Sequence, residues 1–161
     1  MTPLSKTLES SMKIRFHDCD PFNHLNNSRY LDYIITARGD QIMDYYQLDI
    51  YKLARDKGIG WVIAQTQIAY LTPATLMEEV LIQTRLLAYS DKSLMVEAFM
   101  LSHDRSVLKS VMWVKLVHVN LLNGRSHVHS ADLLNLFEQV VNPLTEESSF
   151  EERVKTVRQK H

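Results

Sequence analysis

With a single cysteine in 161 residues, Cys19, the chain cannot form an intrachain disulfide, which fits a reducing compartment. Apolar runs long enough to cross a bilayer are missing, and the opening stretch M-T-P-L-S-K-T-L-E-S-S-M lacks the apolar core of a secretion signal. The expectation is a cytoplasmic protein with no membrane span. Excess charge of either sign is absent too. The 18 Lys and Arg stand against 19 Asp and Glu, a formal net charge of −1, so nothing in the total points to nucleic acid or another polyanion. Asn26-Asn27-Ser28 reads as a glycosylation sequon, but without a secretion signal it carries no weight. Internal repeats and low-complexity runs are also missing.

What remains is a chain of single-domain length, 45% apolar, able to bury a real core. Its most chemical stretch runs from Arg15 to Tyr33, R-F-H-D-C-D-P-F-N-H-L-N-N-S-R-Y-L-D-Y. Before it, Met12 to His17 alternate and predict a half-buried strand, with residues 1–11 as an N-terminal arm or an edge extension. After it, Leu31, Ile34, Ile35, Arg38, Ile42 and Tyr45 recur at helical spacing and predict one long amphipathic helix over about residues 27–46. Arg38 is the one polar member of that stripe. Asn26 or Asn27 is the expected N-cap. A short helix over Ile50–Lys57 stops at Gly58. Four strands follow, over about residues 61–71, 77–89, 94–101 and 107–122, separated by turn chemistry. Ser130 then caps a further helix, and residues 142–161 read as a charged tail, either a frayed helix or disordered.

One strand, one long helix and four strands with short turns predict an α+β fold. Its five-stranded antiparallel sheet curves around the helix, with sequential strands as neighbours. Such a sheet keeps an edge, and edge pairing with a second copy predicts at least a dimer.

A helix start offers unpaired N–H groups and the positive end of a dipole. A carboxylate just before it can attack a polarised carbonyl or activate water. Asp20 is the candidate, set against a plain capping role. Asp18 is expected to pair with an arginine or cap the loop. His24 either orients substrate or water or holds the loop. Cys19 lies between two acids, which raises its pKa and blunts it as a nucleophile. His17, Asp18, Asp20, His24, His127 and His129 show no established metal spacing, so no metal is expected. Tyr45, Tyr46, Trp61, Trp113, Met95 and Phe99 are candidates to line a tunnel, set against ordinary core packing. Lys92, Arg105 and Arg125 lie in or beside turns, where they could meet phosphates.

The motif D-x-D-P-x-x-H-x-N-N-x-x-Y-L from Asp18 to Leu31, with Tyr70-Leu71-Thr72-Pro73 downstream, resembles the hot-dog-fold thioesterases. The similarity is to the 4-hydroxybenzoyl-CoA thioesterase-like and acyl-CoA thioesterase group, over about residues 10–138. It implies a hot-dog domain over residues 12–141 that hydrolyses acyl-CoA to a carboxylic acid and CoA, without a cofactor. Asp20 would be nucleophile or general base. Asn27 would stand near the helix start whose N–H polarises the thioester carbonyl. Asn26 and Tyr30 would join the substrate contacts, with Lys92 and Arg105 toward CoA. The active site would lie between protomers of a homodimer or homotetramer. Asn23 stands where relatives often have glycine, and Met77-Glu78-Glu79 where they commonly have Gly-Asp. The alternative is a non-catalytic acyl- or aryl-binding dimer. A hydratase on the same fold is a third reading.

Overall fold

The computed structural model describes residues 2–161. Five strands make one antiparallel sheet: β1 (Thr7–Lys13), β2 (Ile59–Tyr70), β3 (Glu79–Tyr89), β4 (Ser93–Ser102) and β5 (Leu108–Asn120). Its helices are α1 (Tyr30–Tyr46), α2 (Ile50–Lys57), α3 (Ala131–Val140) and α4 (Phe150–Arg158). The α+β class and the curved five-stranded sheet around a long helix are as the sequence predicts. α1 lays Tyr30, Tyr33, Ile34, Ala37 and Gln41 against Ile14, Val80, Ile82, Ala98, Met100, Met112 and Val114 on the concave face. Those strand residues alternate with outward-facing ones, as period-two patterning requires.

Strand order differs from the expectation of sequential neighbours. It is β1-β3-β4-β5-β2, so β2 pairs with β5 and not with β3. The reason lies in residues 71–78. This segment is no hairpin turn: Leu71 and Thr72 donate their N–H groups to the Lys109 carbonyl, and Ala74 is fully buried under α1. It carries the chain across the end of the sheet and leaves β2 as an edge. A bulge between Ile63 and Gln65 also inverts the side-chain phase of β2. Ile63 therefore faces the concave side with Trp61, where strict alternation groups it with Ala69 and Leu71.

Two segments depart further from the sequence reading. β1 begins at Thr7 and ends at Lys13, and Phe16–Asp18 form a tight 3-10 turn instead of continuing the strand. The inward residues of the early part are Leu8 and Ser10, and a serine facing the core hides the alternation. The charged segment after Asn142 carries α4 in place of a frayed or disordered tail. Ser149 caps it by accepting from the Glu152 N–H, and Phe150 and Val157 bury themselves against Leu81, Leu101, Leu108 and Val111 on the outer face. Glu97, buried in that face, is held by Arg153, Arg85 and the Trp113 N–H. Burial alone would raise its pKa, but these donors overcome it and leave the carboxyl below its ordinary range. Phe150 and Val157, with Val154 partly buried beside them, and one buried ion cluster suffice to seat a helix whose remaining residues are charged apart from Thr156.

Asn23 and Met77 both adopt left-handed backbone, at φ 62° and 66°. Asn tolerates this, whereas an unbranched apolar side chain gains nothing from it. Met77 sits in a four-residue turn closed by the Glu78 N–H on the Thr75 carbonyl, and its side chain is exposed. Met77→Gly should therefore stabilise the fold by about 1 kcal/mol, read as a higher urea midpoint at unchanged slope. A lower midpoint would mean that the thioether makes contacts worth more than the strain.

Candidate active site

After Ile14 the chain leaves the sheet and folds a miniature hairpin. The Asp20 N–H donates to the His24 carbonyl at 2.8 Å, and the Asn26 N–H to the Asp18 carbonyl at 2.9 Å. The turn closes with the Asn23 N–H on the Asp20 carbonyl at 3.1 Å. Pro21 fixes φ, and Asn23 supplies the left-handed residue that such a turn needs. The second arm docks on residues 74–76, with the Leu25 N–H on the Ala74 carbonyl at 2.7 Å and the Leu76 N–H on the Asn23 carbonyl at 2.8 Å.

The Asp20 carboxylate is fixed by this turn. Its Oδ1 accepts from the Phe22 N–H at 2.9 Å and the His24 N–H at 3.1 Å. Oδ2 makes no hydrogen bond with the described residues, so one oxygen is held and the other is left for a ligand. Six residues on, Asn26 caps the helix start by accepting from the Ser28 N–H and hydroxyl. Asn27–Arg29 form a single 3-10 turn that runs into α1 at Tyr30. The Asn27 N–H finds no acceptor among the described residues and opens the positive end of the helix. Tyr70 donates its hydroxyl to the Asn27 carbonyl at 3.0 Å, which ties the end of β2 to the helix start. The hairpin thus gathers Asp20, His24, Asn26 and Asn27.

The other candidates fall elsewhere. Tyr30 is buried, its hydroxyl accepts from the Ala74 N–H at 3.2 Å, and its ring meets Tyr70 edge to face. Lys92 sits at the opposite end of the sheet, in the β3–β4 turn beside His118. Arg105 is engaged by Glu9. Neither meets the hairpin within one chain. Asp18 takes the Tyr33 hydroxyl at 2.6 Å with the Arg29 guanidinium nearby, the pairing expected of it. Burial, and then that bond to Asp18, push the Tyr33 phenol up to about 12. Burial together with Asp20 and Asp18 raises the Cys19 thiol, as the sequence reading anticipates.

His24 joins the ladder through its backbone, and its ring makes no hydrogen bond. His129 is closed to a metal, because Nδ1 bonds the Ser90 carbonyl and Nε2 accepts from the Trp61 indole at 3.0 Å. No group of three or more metal-ligating side chains forms among the described residues.

A second feature escaped the sequence reading. A cavity of about 270 Å³ runs beside the middle and end of α1, walled by Ile34, Ile42, Leu86, Trp61 and Phe137 and containing Arg38. Of the tunnel candidates only Tyr46 and Trp61 line it. Trp113 and Phe99 lie under α4, and Tyr45 is exposed. Its position on α1 places it away from the Asp20 hairpin of the same chain. The available signal was Arg38, the polar interruption of an apolar stripe.

Burial holds the His129 pKa below its ordinary 6.5. The unfolded chain then takes up a proton near that pH which the folded chain refuses, so stability falls as pH drops below about 6.5. Melting temperatures between pH 5 and 8 should show that decline, and His129→Gln should flatten it. A curve that rises toward acid in both proteins would remove this account.

The family model described as the thioesterase-like superfamily matches residues 14–158. Long-chain acyl-CoA thioesterase FadM of Escherichia coli is 24% identical over 135 residues, covering 83% of this chain and 99% of its own. Among solved structures, a thioesterase-superfamily protein from Jannaschia sp. CCS1 superposes at TM-score 0.77 and 17% identity, over 88% of this chain and 99% of its own. Slr0204 of Synechocystis, a 1,4-dihydroxy-2-naphthoyl-CoA thioesterase, reaches 0.74 at 11%, over 85% and 99%. These superpositions extend the agreement from the helix-start motif to the hot-dog fold as a whole. The chain belongs to the thioesterase-like superfamily and is a thioester hydrolase.

Proposed function

We propose that the protein hydrolyses acyl-CoA thioesters, with Asp20 as the reacting carboxylate and the Asn27 N–H as the donor to the carbonyl oxygen. The observation that carries this is the half-satisfied carboxylate: Oδ1 is anchored by two N–H groups, and Oδ2 stays unbonded one short turn before an unpaired helix N–H. Oδ2 attacks the thioester carbon, or takes a proton from the water that does. The carbonyl oxygen gains negative charge and is met by the N–H and the helix dipole. The C–S bond then breaks, and CoA leaves as a thiolate that takes a proton; where Oδ2 attacked carbon, water then cleaves the acyl–Asp20 anhydride, releasing the acid and restoring the carboxylate. His24 flanks the carboxylate, and Asn26 holds the helix start in place. Asp20→Asn should remove nearly all thiol release from an acyl-CoA panel and leave the melting temperature within a few degrees. Undiminished turnover by that variant defeats the assignment, and binding without release in the parent protein favours the non-catalytic reading.

The distance between hairpin and cavity finds its explanation in a homodimer. β2 is an edge strand with Val62 and Ile63 exposed, and unpaired edges seek partners. Two β2 strands paired antiparallel about a two-fold axis set the start of one beside the end of the other. The Trp61 side of one cavity then faces the partner subunit's Tyr70, which is tied to the helix start. The carboxylate of one chain and the cavity of the other would form one site. Mixing Asp20→Asn with the cavity-blocking Ile42→Trp, after joint refolding, should restore roughly a quarter of parental activity through heterodimers with one intact site. Two inactive parents that stay inactive when mixed would place the site within one chain.

A further inference from the structure

Arg38 is the one cation in the wall of the cavity, whose other residues are almost all apolar. One of its five N–H groups donates to the Thr84 hydroxyl at 2.8 Å. Thr84 passes its own proton to Gln41 at 2.6 Å, and Gln41 in turn donates to Ser10 and to the Ile82 carbonyl. Every step of that relay runs away from the guanidinium and brings no negative charge to it. Among the described residues no carboxylate forms a salt bridge with Arg38, and no ring stacks under it as Phe99 does under Arg153. Two other polar groups of the wall are engaged: the Tyr46 hydroxyl donates to the Ser5 carbonyl, and the Trp61 indole to His129, while Tyr51 is largely exposed. Desolvation pulls the guanidinium down to about 10, a sign of how poorly its charge is compensated in the empty protein. A part-buried cation with no counter-charge is costly, and replacing it with an apolar residue of similar volume relieves that cost.

We propose that the cavity takes an acyl group ending in a carboxylate, which the Arg38 guanidinium receives while the apolar walls hold the chain between. A planar fork with free N–H groups suits a carboxylate in two-point contact. The cavity is about twice the size of one that holds benzene, room for a body of roughly six to ten carbons. As a statement about substrate, the proposal rests on the thioesterase reading above. The thioester end would then lie at the helix start and the free acid end at Arg38.

The experiment has two arms. In the first, adipoyl-CoA and hexanoyl-CoA are hydrolysed by the parent protein, Arg38→Met and Arg38→Lys. The parent should favour adipoyl-CoA in kcat/KM by a factor on the order of a hundred. Arg38→Met should lose or reverse that preference while still cleaving hexanoyl-CoA and melting no lower than the parent, and Arg38→Lys should keep part of it. Equal rates in the parent, or a preference that survives Arg38→Met, overturn the proposal while thioester hydrolysis stands. The second arm needs no turnover: calorimetry with hexanoate and hexanamide on the parent protein and on Arg38→Met. Hexanoate alone should bind the parent, and its binding should be lost in Arg38→Met; equal binding of the two ligands, none, or hexanoate binding that survives Arg38→Met overturns the site. If no CoA ester is cleaved, the hydrolase reading fails by itself, and the calorimetry still decides whether Arg38 takes a carboxylate.

Discussion

Ala74 is where the structure is tied together. Its carbonyl accepts the Leu25 N–H, and its own N–H reaches the Tyr30 hydroxyl, all in the core. Three parts of the chain meet at that residue: the hairpin carrying Asp20, the first turn of α1, and the segment that ferries the chain from β2 to β3. Buried backbone groups must be paired, so none of the three can shift without orphaning a donor or acceptor. This is why a carboxylate on a surface turn holds a fixed position relative to a helix start several residues later.

The inner face of α1 is built on two principles. Its first half is apolar and close-packed, from Tyr30 to Ala37. Its second half carries a polar relay, Arg38 to Thr84 to Gln41, against an open cavity. Close packing gives stability, and the unfilled space beside an uncompensated charge subtracts from it. A core that tolerates such a defect has been shaped by something other than its own stability.

The architecture was readable because its signals are local and repeated. Strand alternation in β3 to β5, the Ser130 and Asn26 caps and the Gly58 stop are each set by a few neighbouring residues. The Asp18–Leu31 motif marked the segment before the helix for the same reason, though not its hairpin. What stayed hidden depends on partners far apart in sequence. Nothing near β2 says that it crosses to β5, and one bulge reverses its inward face. α4 looked like a solvated tail because its anchors, Glu97 and the patch around Leu81, lie in other strands. The cavity was invisible because it is made by what three helices and four strands fail to fill. Lys92 and Arg105 were picked for charge and turn position alone, and within one chain the fold gives neither a place near Asp20.

The seating of α4 reaches beyond the single chain. A curved sheet with a bare apolar back can stack against the back of another sheet and so build higher assemblies. Here Phe150, Val157 and the Glu97 cluster already occupy that surface, so the chain carries its own lid. α4 therefore stands between that surface and any second sheet. Loss of the last dozen residues would then change how many copies gather before it changed what any one copy does.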